Sequence, residues 1–141
     1  MRGRKPERAR IEARPMNDAF TTVPKRPAGL PKESYQDWLN TAPDLVERGL
    51  LSSATMPLLE TYLSALLVVR QARKSVAQDG AILKSKDGTP KANPAVAMLE
   101  KYGALVARLG SELGLTPAAR SRAAIRQIER PKEETHEDPW A

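Results

Sequence analysis

Apolar residues return at three- and four-residue steps through most of the chain, and proline, glycine and short polar runs cut these steps into four stretches. In the first, PKESYQDWLNTAPDLVERGLL, Tyr35, Trp38, Leu39, Ala42, Leu45 and Val46 fall on one helical face. Pro31 with Lys32 and Glu33 suits its opening turn, and Gly49 suits its end. Pro43 interrupts this face. Inside a continuous helix a proline costs about 3 kcal/mol, so either the helix kinks there or Thr41 caps a second short piece. The next stretch, SSATMPLLETYLSALLVVRQARKSVAQDG, carries the strongest pattern, with Ser52 or Ser53 as cap, Pro57 in the first turn and Gly80 closing it. Leu59, Leu63, Leu66, Val69 or Arg70, Arg73 and Val76 trace one stripe, and Leu58, Tyr62, Ala65, Val68 and Ala72 trace another beside it. Little polar face remains between Leu58 and Val69, whereas a surface helix keeps one. This helix is therefore central to the fold or meets another subunit.

Asn93-Pro94 opens a third helix as cap and first residue, with Ala95, Met98, Leu99, Tyr102, Leu105, Val106, Leu109 and Leu113 on its apolar face and Gly114 at its end. Between the second and third helices, Asp87-Gly88 separates two short extended runs and predicts a small β-hairpin, solvated by Lys84, Lys86 and Lys91. Thr116 and Pro117 begin a last helix, LTPAARSRAAIRQIER. The ends differ from this middle. Residues 1–31 read as a basic, proline-punctuated flexible arm, and residues 131–141 as an acidic flexible tail; neither has the apolar content to offset its ordering entropy. The fold expected is all-α, a helical hairpin or small bundle over residues 32–130 with a minor β-hairpin.

Composition narrows the function. Aromatic residues are 4% of the 141, so Leu, Val and Ala must do most of the packing, which favours helices over a β-sandwich. Lys and Arg number 23 against 17 Asp and Glu, a net charge of +6. Cysteine is absent, which excludes disulfides, thiolate metal sites and cysteine nucleophiles. The single histidine, His136, sits in the acidic tail, which argues against a Ser-His-Asp site and a histidine metal site. No phosphate-cradling glycine motif is present. No segment approaches the length of a membrane span, and no apolar run follows the basic N-terminus. The chain reads as a cytosolic binding protein without cofactor or metal, not an enzyme.

Three pieces of sequence, in order, carry a resemblance: the opening MRGRKP, the pair DWLNTAPDLVERGLLSSATMPLLETYLSAL, and LGLTPAARSR. Together with the hairpin and NPAV between them, they resemble the small terminase subunits of tailed bacteriophages, specifically the P27-like family, over most of residues 1–126. The resemblance implies a non-enzymatic packaging protein that forms a homo-oligomeric ring, a nonamer being one option. Such a protein binds double-stranded viral DNA at the packaging start and delivers it to the large terminase subunit, which supplies ATPase and nuclease. It implies residence in the host cytoplasm and not in the finished virion. The rival from another class is a dimeric DNA-binding transcription regulator; a structural head-assembly protein is a third reading.

Candidate residues follow from charge and spacing. Arg2, Arg4, Lys5, Arg8, Arg10 and Arg14 concentrate cations in the arm, where phosphate contact releases condensed counterions. The Arg2-Gly3-Arg4-Lys5-Pro6 run also resembles a minor-groove hook, with Lys5 as a departure from it. In the last helix Arg122, Arg126 and Arg130 recur at four-residue steps with Arg120 close by, and like charges so placed cost about 0.2–0.5 kcal/mol per pair unless an anion relieves them. A solvated arginine face is the plainer reading. For self-association the candidates are Leu59, Tyr62, Leu63 and Leu66 with the small-residue stripe Gly103, Ala107 and Gly110. For the large subunit they are Glu133, Glu134, Glu137, Asp138 and Trp140, a tryptophan among carboxylates that suits a partner pocket.

Overall fold

Pro43 does not split the first helix. In a computed structural model, which describes residues 18–128, a short 3-10 turn over Lys32–Ser34 leads into α1, Tyr35–Glu47, with Pro43 inside it. The carbonyl that loses its partner to the proline ring belongs to Leu39, on the face of α1 that is turned to solvent, where that residue is 44% exposed. The buried face of α1 is narrower than its apolar pattern. Trp38, Ala42 and Leu45 point inward, whereas Leu39 and Tyr35 face solvent and Asp37 is buried in their place.

Glycine ends α1 and α3 in the same way. At Gly49 (φ 65°) the N–H donates to Val46 O at 2.9 Å and the Leu50 N–H donates to Leu45 O at 2.8 Å, which satisfies two orphan carbonyls of α1. Gly114 (φ 75°) repeats this at the end of α3, with bonds to Ser111 O and Gly110 O. Helix α2, Met56–Asp79, starts later than a Ser52 or Ser53 cap requires. Thr55 occupies the cap position without a capping bond; its hydroxyl instead donates to Leu50 O and accepts from the Ser52 N–H, holding the α1–α2 turn. Asn93 caps α3, Pro94–Glu112, as its sequence predicts: its side chain accepts from the Ala95 N–H at 2.9 Å and donates to Gly80 O at 2.8 Å. That second bond clasps the base of the hairpin β1 (Ile82–Lys84) and β2 (Pro90–Ala92), paired antiparallel across the Asp87-Gly88 turn. Thr116 caps α4, Pro117–Ile128, through the Ala119 N–H.

The core collects at one end. Leu30, Trp38, Ala42, Leu45, Leu51, Leu59, Leu63 and Leu113 are buried together, with Phe20 and Tyr62 packed on their edge. Leu30 and Phe20 correct the expectation that the arm runs free to residue 31. The Phe20 N–H donates to Leu51 O at 2.8 Å, Ala19 pairs with Ser52, and Leu30 closes over the core. Two apolar residues isolated among prolines have no periodicity to announce them; they dock on a surface built by later elements. The other end of the molecule is thinner. Beyond Leu63 the buried residues of α2 are Ala65, Val69 and Ala72, matched on α3 by Ala95 and Leu109, so two helices lie close along small side chains with the hairpin at their tip.

Candidate self-association and nucleic-acid surfaces

The thin end is a two-helix stalk, and two layers cannot cover every apolar side chain on either helix. Leu66, Leu67, Val68 and Val76 of α2, and Leu99, Tyr102, Leu105 and Val106 of α3, remain half-buried. Val96, Met98 and Ile82 (68% exposed) extend this apolar belt towards the hairpin. Around Tyr102 and Leu105 the belt holds a shallow depression of about 430 Å³ flanked by Lys101 and Arg108. Apolar side chains of this size gathered at a solvent boundary make the belt a candidate contact surface.

The residues named for self-association divide over this stalk. Leu59 and Leu63 are fully buried in the chain's own core, so they do not present a surface to a second copy; their place in the pattern reflects packing within the fold. Tyr62 packs on the core edge, where Gly110 faces it: a Cβ on Gly110 would stand 3.6 Å from the ring, an ordinary contact. Nothing lies within 4 Å of a Cβ on Gly103, and Ala107 is exposed. Close approach of α2 therefore accounts for neither of these two small residues. Leu66, Gly103 and Ala107 remain available to a neighbour.

Two ion pairs that the sequence did not signal position the helices. Arg70 of α2 donates from both terminal nitrogens to the two carboxylate oxygens of Asp37 on α1, at 2.5 and 2.6 Å, and this bond with the carboxylate raises the arginine's pKa. The second lies at the root of α4. Asp44 accepts from Arg48 at 3.1 Å and from both terminal nitrogens of Arg120 at 3.3 and 2.9 Å, while Arg48 also donates to Gly114 O at 2.8 Å. Burial alone would raise the Asp44 pKa, but the hydrogen bonds from Arg48 and Arg120, with the attraction of both charges, hold it below the ordinary value. Arg120, expected at DNA, is held here as a strut between α4 and α1: its Nε donates to Leu115 O, so all three nitrogens are engaged within the chain. The partner was invisible because Asp44 lies 76 positions earlier.

Arg122 is exposed, and its Nε donates to Ala118 O at 3.3 Å. It borders an open groove of about 340 Å³ between α4 and the core, with Leu50, Leu58, Leu113 and Ala119 in the lining and Arg48 at the rim. Arg126 lies in α4 with its side chain outside the described residues, as are Arg130, the arm cations Arg2 to Arg14, and the tail residues Glu133, Glu134, Glu137, Asp138 and Trp140. The hairpin adds three exposed lysines, Lys84, Lys86 and Lys91, at the stalk's tip. No helix among the described residues is long and apolar enough to cross a membrane. A family described as phage terminase, small subunit, matches residues 35–130, from the first residue of α1 past the end of α4. Searches of the curated proteins and of the solved structures each found no match.

Proposed function

Because the chain belongs to the phage terminase small-subunit family, we propose that it is the non-catalytic DNA-recognition component of a viral genome-packaging motor. In this reading copies of the chain assemble into a ring through the stalk, bind double-stranded viral DNA, and recruit and stimulate the large subunit that carries the ATPase and nuclease. The pieces MRGRKP, DWLNTAPDLVERGLLSSATMPLLETYLSAL and LGLTPAARSR, which resemble the P27-like family, support reading the chain as a member of that branch. The protein acts in the host cytoplasm and does not enter the virion.

The observation that carries the reading is the uncovered apolar belt on the stalk, from Leu66 and Val68 to Met98 and Leu105, in a chain of net charge +6. Covering that belt with copies of itself would use its apolar surface and gather the charge of every subunit around one axis. DNA contact falls to the arm, Arg2, Arg4, Lys5, Arg8, Arg10 and Arg14, and to Arg122, Arg126 and Arg130 of the last helical segment. Affinity from such contacts falls steeply with salt. The acidic tail with Trp140 docks the large subunit.

Native mass spectrometry with and without duplex DNA tests this directly. The reading expects a closed ring of many subunits that retains DNA at low salt. A dimer would favour the transcription regulator, and a monomer indifferent to DNA would end the proposal. Deleting residues 1–14 should weaken DNA retention and flatten its salt dependence, and unchanged retention would remove the arm from the mechanism.

A further inference from the structure

The groove at the root of α4 has an apolar floor and a charged lining of Arg48, Arg122 and Glu112, net cationic by one, and the chain supplies a segment of matching chemistry. Leu50 and Leu58 are half-buried in its lining, Arg48 and Arg122 border it, and Arg122 spends only its Nε on the chain, leaving both terminal nitrogens without a hydrogen bond among the described residues. Two segments lie outside the described residues, and charge separates them. Residues 1–17 carry six Lys and Arg against Glu7 and Glu12, and a net cationic lining repels them. Residues 131–141 carry Glu133, Glu134, Glu137 and Asp138 against Lys132, together with Trp140, the one aromatic residue after Tyr102.

Length permits the contact. From Ile128 back to Arg122 along α4 is about 9 Å at 1.5 Å per residue. Trp140 lies twelve positions after Ile128, and an extended chain of that length spans up to about 40 Å. The segment can reverse along α4 and reach the groove with slack. A short tether also holds a segment at an effective concentration in the mM range, so a contact too weak to form between separate molecules is populated within one.

We propose that the groove bordered by Arg48 and Arg122 takes the chain's own C-terminal segment, with the indole of Trp140 over Leu50 and Leu58 and the tail carboxylates facing Arg122. The contact withholds the tryptophan from other proteins and shields part of the arginine face of α4. It does not depend on the packaging role.

Tryptophan fluorescence of the full chain tests it. Trp38 is buried in the core, so the difference between the wild type and a Trp140→Ala variant isolates the Trp140 signal. That signal should be blue-shifted and quenched by acrylamide several-fold more slowly than N-acetyltryptophanamide. Both properties should be lost in Arg122→Glu, whose exposed site leaves the fold intact by circular dichroism, and should weaken in high salt. Quenching at the free-indole rate in the wild type overturns the proposal. Protection that survives Arg122→Glu places the indole elsewhere and overturns it too. Protection that vanishes on dilution assigns the groove to a neighbouring copy's tail, which refutes the contact within one chain.

Discussion

Replacing Arg70 should cost more than replacing its partner, although the two residues share one ion pair. The carboxylate of Asp37 has 11% of its side-chain surface exposed, whereas Arg70 keeps 49%. Arg70→Ala leaves a largely buried charge without its two hydrogen bonds. Breaking a fully buried pair this way costs 3–5 kcal/mol, and water entering from the open side of Arg70 reduces it to about 2 kcal/mol here. Asp37→Ala releases a guanidinium that solvent already reaches, so its loss should be about 0.5–1 kcal/mol. The double variant removes the stranded charge and should be more stable than Arg70→Ala alone, a coupling that a double-mutant cycle measures. Urea unfolding at one fixed protomer concentration is the assay, with the shift in midpoint read at constant slope. Equal losses in the two single variants, or a double variant no better than Arg70→Ala, would refute the argument that burial of Asp37 sets the cost.

Three further outcomes are expected. Gly114→Ala should destabilise by about 1–2 kcal/mol because its φ is left-handed, and by more than Gly49→Ala: a Cβ at Gly114 meets Arg48 Nη2 at 3.1 Å, whereas Gly49 has open space; thermal unfolding ranks them. The folded-state pKa of Asp44 is held below its unfolded value of 3.8, so its contribution is present above that pH and is lost as pH falls through the lower folded value. The stability gap between wild type and Asp44→Asn should therefore be constant near neutrality and close in acid, and a gap that closed between pH 6 and 8, in about the range where histidine titrates, would contradict it. Ala107→Glu, at an exposed position of α3, should lower the assembled mass without changing helicity, and an unchanged native mass would take that stripe out of the subunit contact.

Much of the local structure was legible because single residues decide it. Asn93 before Pro94, Thr116 before Pro117, and Gly49 and Gly114 after helices each satisfy or free a backbone group that chain geometry leaves orphaned, and each stands where its pattern predicts. What the sequence hid depends on distance. Asp37 with Arg70 and Asp44 with Arg120 are brought together only by the packed fold, and nothing in either neighbourhood encodes the other. Pro43 was ambiguous because its cost turns on whether water reaches the Leu39 carbonyl, a property of the face it lies on. The candidate interface was half legible: a helix apolar all round must be covered, but periodicity does not say by what, and Leu59 and Leu63 are covered by the chain itself.

The placement of leucines at one end and alanines at the other gives the molecule a gradient of local stability. Backbone amides around Leu45, Leu51, Leu59 and Leu63 sit under the thickest apolar layer and should exchange with solvent only on global opening. Those near Ala72 and Ala95 are guarded by two helices alone and should exchange through cheaper, partial openings. A neighbour laid along the stalk would protect its weaker end first, so that each subunit acquires its full rigidity from the company it keeps.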